Sequence, residues 1–159
     1  MGKKGMEIAK LDHKWVIEEL GKAYAFEWVV HHYAALAANI VAGLRTPVYS
    51  EIFKKAAEGE FGHANKIAKR IAELGGEPPE SLSEMEKVAG FGKVVFPKDR
   101  SDIKGFIQVF LKMEQHAIAL YDNLAQKTHG KDLVTHELAE DLLADEVAEE
   151  EEYENMLKE

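Results

Sequence analysis

The chain has 159 residues, 46% hydrophobic and 31% charged, with no cysteine and a formal net charge of −9. That length buries a core in one domain, and the absence of thiols excludes disulfides and thiolate clusters, leaving nitrogen and oxygen donors for any metal. The acidic balance speaks against nucleic-acid binding by the folded body, and the longest apolar run, Tyr33 to Leu44, is broken by Asn39 and Gly43 and too short for a bilayer. With no charged-then-apolar signal ahead of it, the expectation is a soluble cytoplasmic protein, with no membrane partner and DNA binding disfavoured.

Residues 1–11 read as a flexible leader, with Lys3 and Lys4 too few to make a polybasic arm. Asp12 is a candidate N-cap for a first long helix to about Ala42, whose stripe is Trp15, Ile17, Leu20, Tyr24, Glu27, Val30, Ala34 and Ile40. Gly43 ends it, and Thr46-Pro47 starts a second helix that runs to Leu74 and stops at Gly75-Gly76. From about 77 to 100 the chain changes character. A short helix over Ser81–Ala89 is followed by Gly90, Gly92 and Pro97, as in a long crossover between helices that are not simple hairpin neighbours. Ser101 introduces a third long helix, Asp102 to Thr128, with Ile103, Phe106, Ile107, Phe110, Ala117, Ile118 and Tyr121 on one face. After Gly130 a fourth carries Leu138, Leu142, Glu146, Glu149, Tyr153 and Leu157 on a shared face. The fold class predicted for 12–159 is all-α, a four-helix bundle with a long crossover between its second and third helices.

Each long helix sets an acid on its apolar stripe. Glu60 and His63, three apart, project from the same face of the second helix as Ile67 and Ile71. Glu27, Glu114 and Glu146 do the same on the other three. Glu27 and Glu60 are 33 positions apart and Glu114 and Glu146 are 32, so the two halves echo one another. Four interior carboxylates cannot all ionise at close range without counter-charge. Two divalent cations supply it, and carboxylate with imidazole suits iron or manganese.

On these residues the chain resembles the ferritin-like superfamily, in particular its bacterioferritin and Dps-like branches. The resemblance spans about 12–158 and is most specific over Glu60 to Pro78, beginning Glu60-Phe61-Gly62-His63, and over Glu114 to Leu124. It implies a dinuclear iron site with Glu27 and Glu114 as terminal ligands, Glu60 and Glu146 as bridges, and His63 on one ion. Tyr121 falls where such proteins often carry a buried tyrosine beside the metals. The family places a second His three residues after the acid of the fourth helix; here that residue is Glu149, with Glu150 as an alternative register. Five carboxylates and one imidazole exceed by one charge what two divalent ions neutralise, which favours harder metal and leaves manganese as a second metal.

Phe61 stands where haem-binding bacterioferritins carry Met, so haem is not expected. The chain ends thirteen residues past Glu146, too few for the fifth helix of large ferritin shells. The resemblance therefore implies a Dps-like homo-oligomer, a dodecamer, that oxidises Fe(II) with peroxide or dioxygen and stores ferric mineral. The rivals are a rubrerythrin-like peroxidase or manganese catalase-like dimer, and a non-enzymatic bundle. His31 is a candidate neighbour of the site or a surface residue; His116 points away from Glu114, and His13, His129 and His136 are read as peripheral.

Overall fold

The computed structural model describes residues 2–158. Met1 of the expected leader and Glu159 of the expected bundle lie outside them. Six α-helices, and no strand among the described residues, follow in order: α1 Lys3–Ile8, α2 His13–Ile40, α3 Thr46–Glu73, α4 Met85–Ala89, α5 Ile103–Thr128 and α6 Leu133–Lys158. Where the sequence reads a leader, the structure has the short helix α1, and the chain just after it is tied down: Lys10 N donates to the Lys131 carbonyl at 2.8 Å.

The helix ends follow from local chemistry. Asp12 accepts from Lys14 N at 3.0 Å, and Asp102 accepts from Gly105 N at 2.9 Å, each meeting a donor that has no partner inside its helix. Pro47 occupies the first turn of α3, where a missing N–H costs nothing. Gly75, at φ 82°, turns the chain out of α3 in a conformation that disfavours side chains.

The four long helices form a bundle in which α2 packs chiefly on α3 and α5 chiefly on α6, giving two hairpins joined by the crossover. The crossover is part of the core. Its α4 lies on α2, Met85, Ala89 and Val94 are buried, and Phe91 and Phe96 pack on Phe26 and Phe106 with ring centroids 5.6 and 4.7 Å apart.

This second cover changes the expected stripe of α2. Trp15, Ile17, Tyr24 and Ile40 are only half-buried, while Val16, Ala23, Phe26 and Val29 are buried. A helix flanked by the bundle on one side and the crossover on another is buried over a wide arc, and its single-face pattern blurs. On α5 Phe106, Ile107, Phe110, Ala117 and Tyr121 of the expected face are buried together with Met113, while Ile103 and Ile118 are half-buried.

A charged clasp joins α3 to the start of α6. Arg70 donates through Nη2 to both oxygens of Asp132 at 2.9 and 3.0 Å, and through Nε to Thr135 Oγ1 at 2.8 Å. Thr135 donates its hydroxyl to Asp132 at 2.5 Å and its backbone N–H to the same side chain at 3.2 Å. Arg70, Asp132 and Thr135 are all buried. Burial pushes Asp132 up, but the Thr135 hydrogen bonds and the Arg70 guanidinium outweigh it and hold the carboxyl below its ordinary range.

Candidate metal centre

Glu27 on α2, Glu60 on α3, Glu114 on α5 and Glu146 on α6 are each 1% exposed, and His63 is 5% exposed. All were placed on apolar faces by the sequence, and the structure brings them into one cluster. His63 Nδ1 faces three carboxylates: Glu146 Oε1 at 3.0 Å, Glu60 Oε2 at 3.3 Å and Glu27 Oε2 at 3.6 Å. Tyr121, fully buried, donates its hydroxyl to Glu27 Oε1.

The donor atoms sort into two groups, within each of which all lie no more than 4.8 Å apart. One is Glu27, Glu60, His63 and Glu146; the other is Glu60, Glu114 and Glu149. Glu60 belongs to both. Glu146, the other expected bridge, belongs to the first group and lies beside Glu114, whose carboxyl it helps push up. Glu149 rather than Glu150 reaches the second group; Glu150 instead accepts from Gln115 at 3.0 Å on the outside of the helix pair.

Whether these residues suit a cation is tested by their unmet polar atoms. Among the described residues, seven buried side-chain N or O atoms have no hydrogen-bond partner, and six belong to this cluster: Glu27 Oε2, both oxygens of Glu60, His63 Nδ1, Glu114 Oε1 and Glu146 Oε1. His63 Nδ1 is within ion-pair range of its neighbours yet is aligned for a hydrogen bond with none. Buried polar atoms that converge with no hydrogen-bond partner are costly. They fit hard or borderline divalent ions, which take carboxylate oxygen and imidazole nitrogen. The donor set fits.

The electrostatics agree. Burial, reinforced by the Glu27 charge, pushes Glu60 well above the ordinary carboxylate range, and burial with the Glu60 charge does the same to Glu114. Burial raises Glu146 too. Glu149 is pushed up to about 7 by burial and the Glu146 charge. Burial also opposes ionisation of Glu27, but contacts with Glu60, His63 and Tyr121 prevail and keep it low. Burial alone would strip the His63 proton; the carboxylates of Glu146, Glu27 and Glu60 hold it and raise the imidazole well above its usual value.

One contributor was not legible beforehand. Asp145 Oδ2 lies 3.3 Å from His63 Nε2, on the ring edge opposite the cluster. Its position one residue before Glu146 was the only signal, and the acidic tract hid it. His31 does not join the cluster; its Nδ1 lies 2.7 Å from the Ala57 carbonyl, and its ring meets Trp28 and Phe61. His116 packs between Phe26 and Phe91, away from Glu114 as read from its spacing.

A four-helix bundle with a long crossover and a carboxylate-rich centre drawn from all four helices is the ferritin architecture. Residues 17–159 match the Ferritin-like domain family, and the chain belongs to that family, in its bacterioferritin and Dps-like branch. It is 30% identical over 152 residues to a DNA protection during starvation protein from Pyrococcus furiosus, covering 96% of this chain and 82% of that one. The bacterioferritin-related protein of Bacteroides fragilis, described as a dodecameric thioferritin, superposes with a TM-score of 0.90 at 30% identity, over 99% of this chain and 94% of that one. Dps from Thermosynechococcus elongatus shares the fold at a TM-score of 0.83, with 17% identity over 91% and 90% of the two chains. No described helix is long and apolar enough to cross a membrane.

Proposed function

We propose that this Dps-like protein takes up two Fe(II) ions per chain as substrate, oxidises them with peroxide or dioxygen, and stores the ferric product inside a hollow homo-oligomer of twelve chains in the cytoplasm. The observation that carries the reading is Glu60: both its oxygens are buried and unpaired, and it is the carboxylate common to the two donor groups. The oligomer is supported by the dodecameric relative and by apolar side chains left exposed, among them Leu44, Val48 and Leu133.

Two ions side by side supply one electron each, so peroxide accepts two electrons together, takes up two protons from solvent and leaves as two waters, without the one-electron step that releases hydroxyl radical. The chain's own residues set this up. Glu27, Glu146 and His63 hold one position, Glu114 and Glu149 the other, and Glu60 joins them. Tyr121 occupies Glu27 Oε1, which leaves Oε2 for the centre. Asp145 holds the outer edge of His63, which leaves Nδ1 facing inward. Glu149 also lines a cleft of about 180 Å³ with Ile52, Lys55, Ala56, Glu152 and Tyr153, and Glu152 with Glu149 gives cations an acidic way in.

The relative's name refers to DNA protection. With a net charge of −9 this chain offers DNA little electrostatic attraction, so the protection we propose is removal of iron and peroxide.

The test is native mass by size exclusion with light scattering, on protein loaded anaerobically with Fe(II) and then given limiting peroxide. A particle of about twelve chains retaining far more than two irons per chain is the expected result. A dimer that consumes peroxide and holds only two metals, iron or manganese, would replace storage with a peroxidase or catalase role. A chain that binds no metal would overturn the proposal.

A further inference from the structure

The two donor groups of the centre are matched in carboxylates and unmatched in chemistry. Both share Glu60; Glu27 and Glu146 belong to the first, Glu114 and Glu149 to the second. Only the first adds a nitrogen, from His63. Residue 149 makes the difference. It stands three positions after Glu146, as His63 stands three after Glu60, but supplies oxygen where His63 supplies an imidazole. The groups also differ in access. The carboxylates of Glu27, Glu60 and Glu146 are sealed in the bundle, and Asp145 covers the outer edge of the nearly buried His63. Glu149 is half-buried and lines the cleft with Lys55 and Glu152, so the second group is the one that opens outward.

We propose that the two positions select metals differently, with Glu149 as the residue that sets the difference. The His63 position discriminates Fe(II) from Mn(II), the Glu149 position scarcely does, and a chain offered scarce iron with abundant manganese holds one ion of each. The inference rests on the two-ion centre proposed above and adds the selectivity of each half. Affinity for nitrogen and oxygen sites rises from Mn²⁺ to Fe²⁺. Imidazole suits iron, whereas carboxylate suits manganese, so the rise is steeper where His63 contributes. The first position surrounds its ion with four protein donors; the second offers three and faces the cleft, so its ion exchanges with solution sooner. Iron is therefore retained at the inner position while the outer one follows the supply.

The experiment is anaerobic equilibrium dialysis of the full chain against Fe(II) with about a tenfold excess of Mn(II), enough to offset the general preference for iron. Metal content gives the stoichiometry, electron paramagnetic resonance reports a manganese ion coupled to iron, and anomalous diffraction at the two absorption edges locates each metal. One iron beside His63 and one manganese beside Glu149 are expected, with the iron-to-manganese preference of the two positions differing about tenfold. Glu149→His, with its fold checked by circular dichroism, should replace the outer manganese by iron under the same conditions. Two ions distributed alike over both positions would overturn the selectivity while leaving the two-ion centre in place. So would a Glu149→His variant that keeps its manganese. A chain that binds neither metal would overturn the centre itself, so the two failures are distinguishable.

Discussion

Asp145 Oδ2 and His63 Nε2 lie 3.3 Å apart on the side of the ring that faces away from the carboxylates. His63 is thus gripped at both edges, by Asp145 outside and by Glu146 inside. The outer contact fixes which nitrogen presents to the centre. Replacing Asp145 with Asn or Ala should leave the fold unchanged, since its side chain is half-exposed, and weaken metal binding about tenfold, the low end for losing an orienting partner. Calorimetric titration with Co²⁺ checks this.

Glu60→Gln tests the shared carboxylate. The metal-free variant should be as stable as the parent or more so, because Gln is a neutral stand-in for a carboxyl that burial and the Glu27 charge push well above its ordinary range, and it cannot ionise as pH rises. Its melting temperature should no longer rise with added Fe(II) or Mn(II), whereas the parent's should. A variant that still gains stability from metal would show that Glu60 is not common to the two positions.

The pH dependence has a definite sign. Glu60, Glu114, Glu146 and Glu149 are all raised in the folded chain, the last to about 7, and His63 is raised as well. Between the ordinary carboxylate value and about pH 7 the folded state therefore binds more protons than the unfolded one, and stability falls as pH rises. Cations must displace those protons, so metal affinity runs the other way and increases with pH. Melting curves from pH 5 to 8, with and without Mn(II), should slope in opposite directions.

The clasp at Arg70 behaves differently. Asp132 is held below its ordinary value, so its contribution is full above the unfolded carboxylate pKa and disappears as pH falls through the lowered one. Asp132→Ala removes the bidentate carboxylate and should cost about 3 kcal/mol, the low end for a broken buried pair because Glu73 still meets Nη1 at 3.0 Å. The double variant Arg70→Met, Asp132→Leu should cost less than Asp132→Ala alone. Urea denaturation measures both.

Gly76 meets Ile17 so closely that an added Cβ would fall 2.8 Å from Ile17 Cγ2. Gly76→Ala should destabilise by about 1–3 kcal/mol, and the second change Ile17→Val or Ile17→Ala should recover part of it. Thermal melts of the single and double variants decide this.

The periodicity of the four long helices was enough to place five ligand candidates, because an acid on an apolar stripe stands out against its neighbours. Glu27 between Leu20 and Ala34, and Glu60 with His63 ahead of Ile67, are of that kind. Asp145 was not, since it sits at the edge of a tract, 145–152, in which six of eight residues are acidic. The Arg70–Asp132 clasp joins residues 62 apart through no repeating pattern, and a lone Arg beside Ile71 reads as a solvated end. The burial of α2 on two sides could not be read from α2 at all, because the crossover that covers it carries its own apolar residues at irregular intervals.

The donors of the centre run from Glu27 to Glu149, nearly the length of the chain. No single helix contains more than a pair of them, Glu60 with His63 or Glu146 with Glu149. A nascent chain therefore has no centre until α6 has been made and has closed against α3. If the chain oxidises iron as proposed, the complete donor set exists only in a finished molecule, and a chain truncated before α6 lacks Glu146 and Glu149, one donor from each of the two groups.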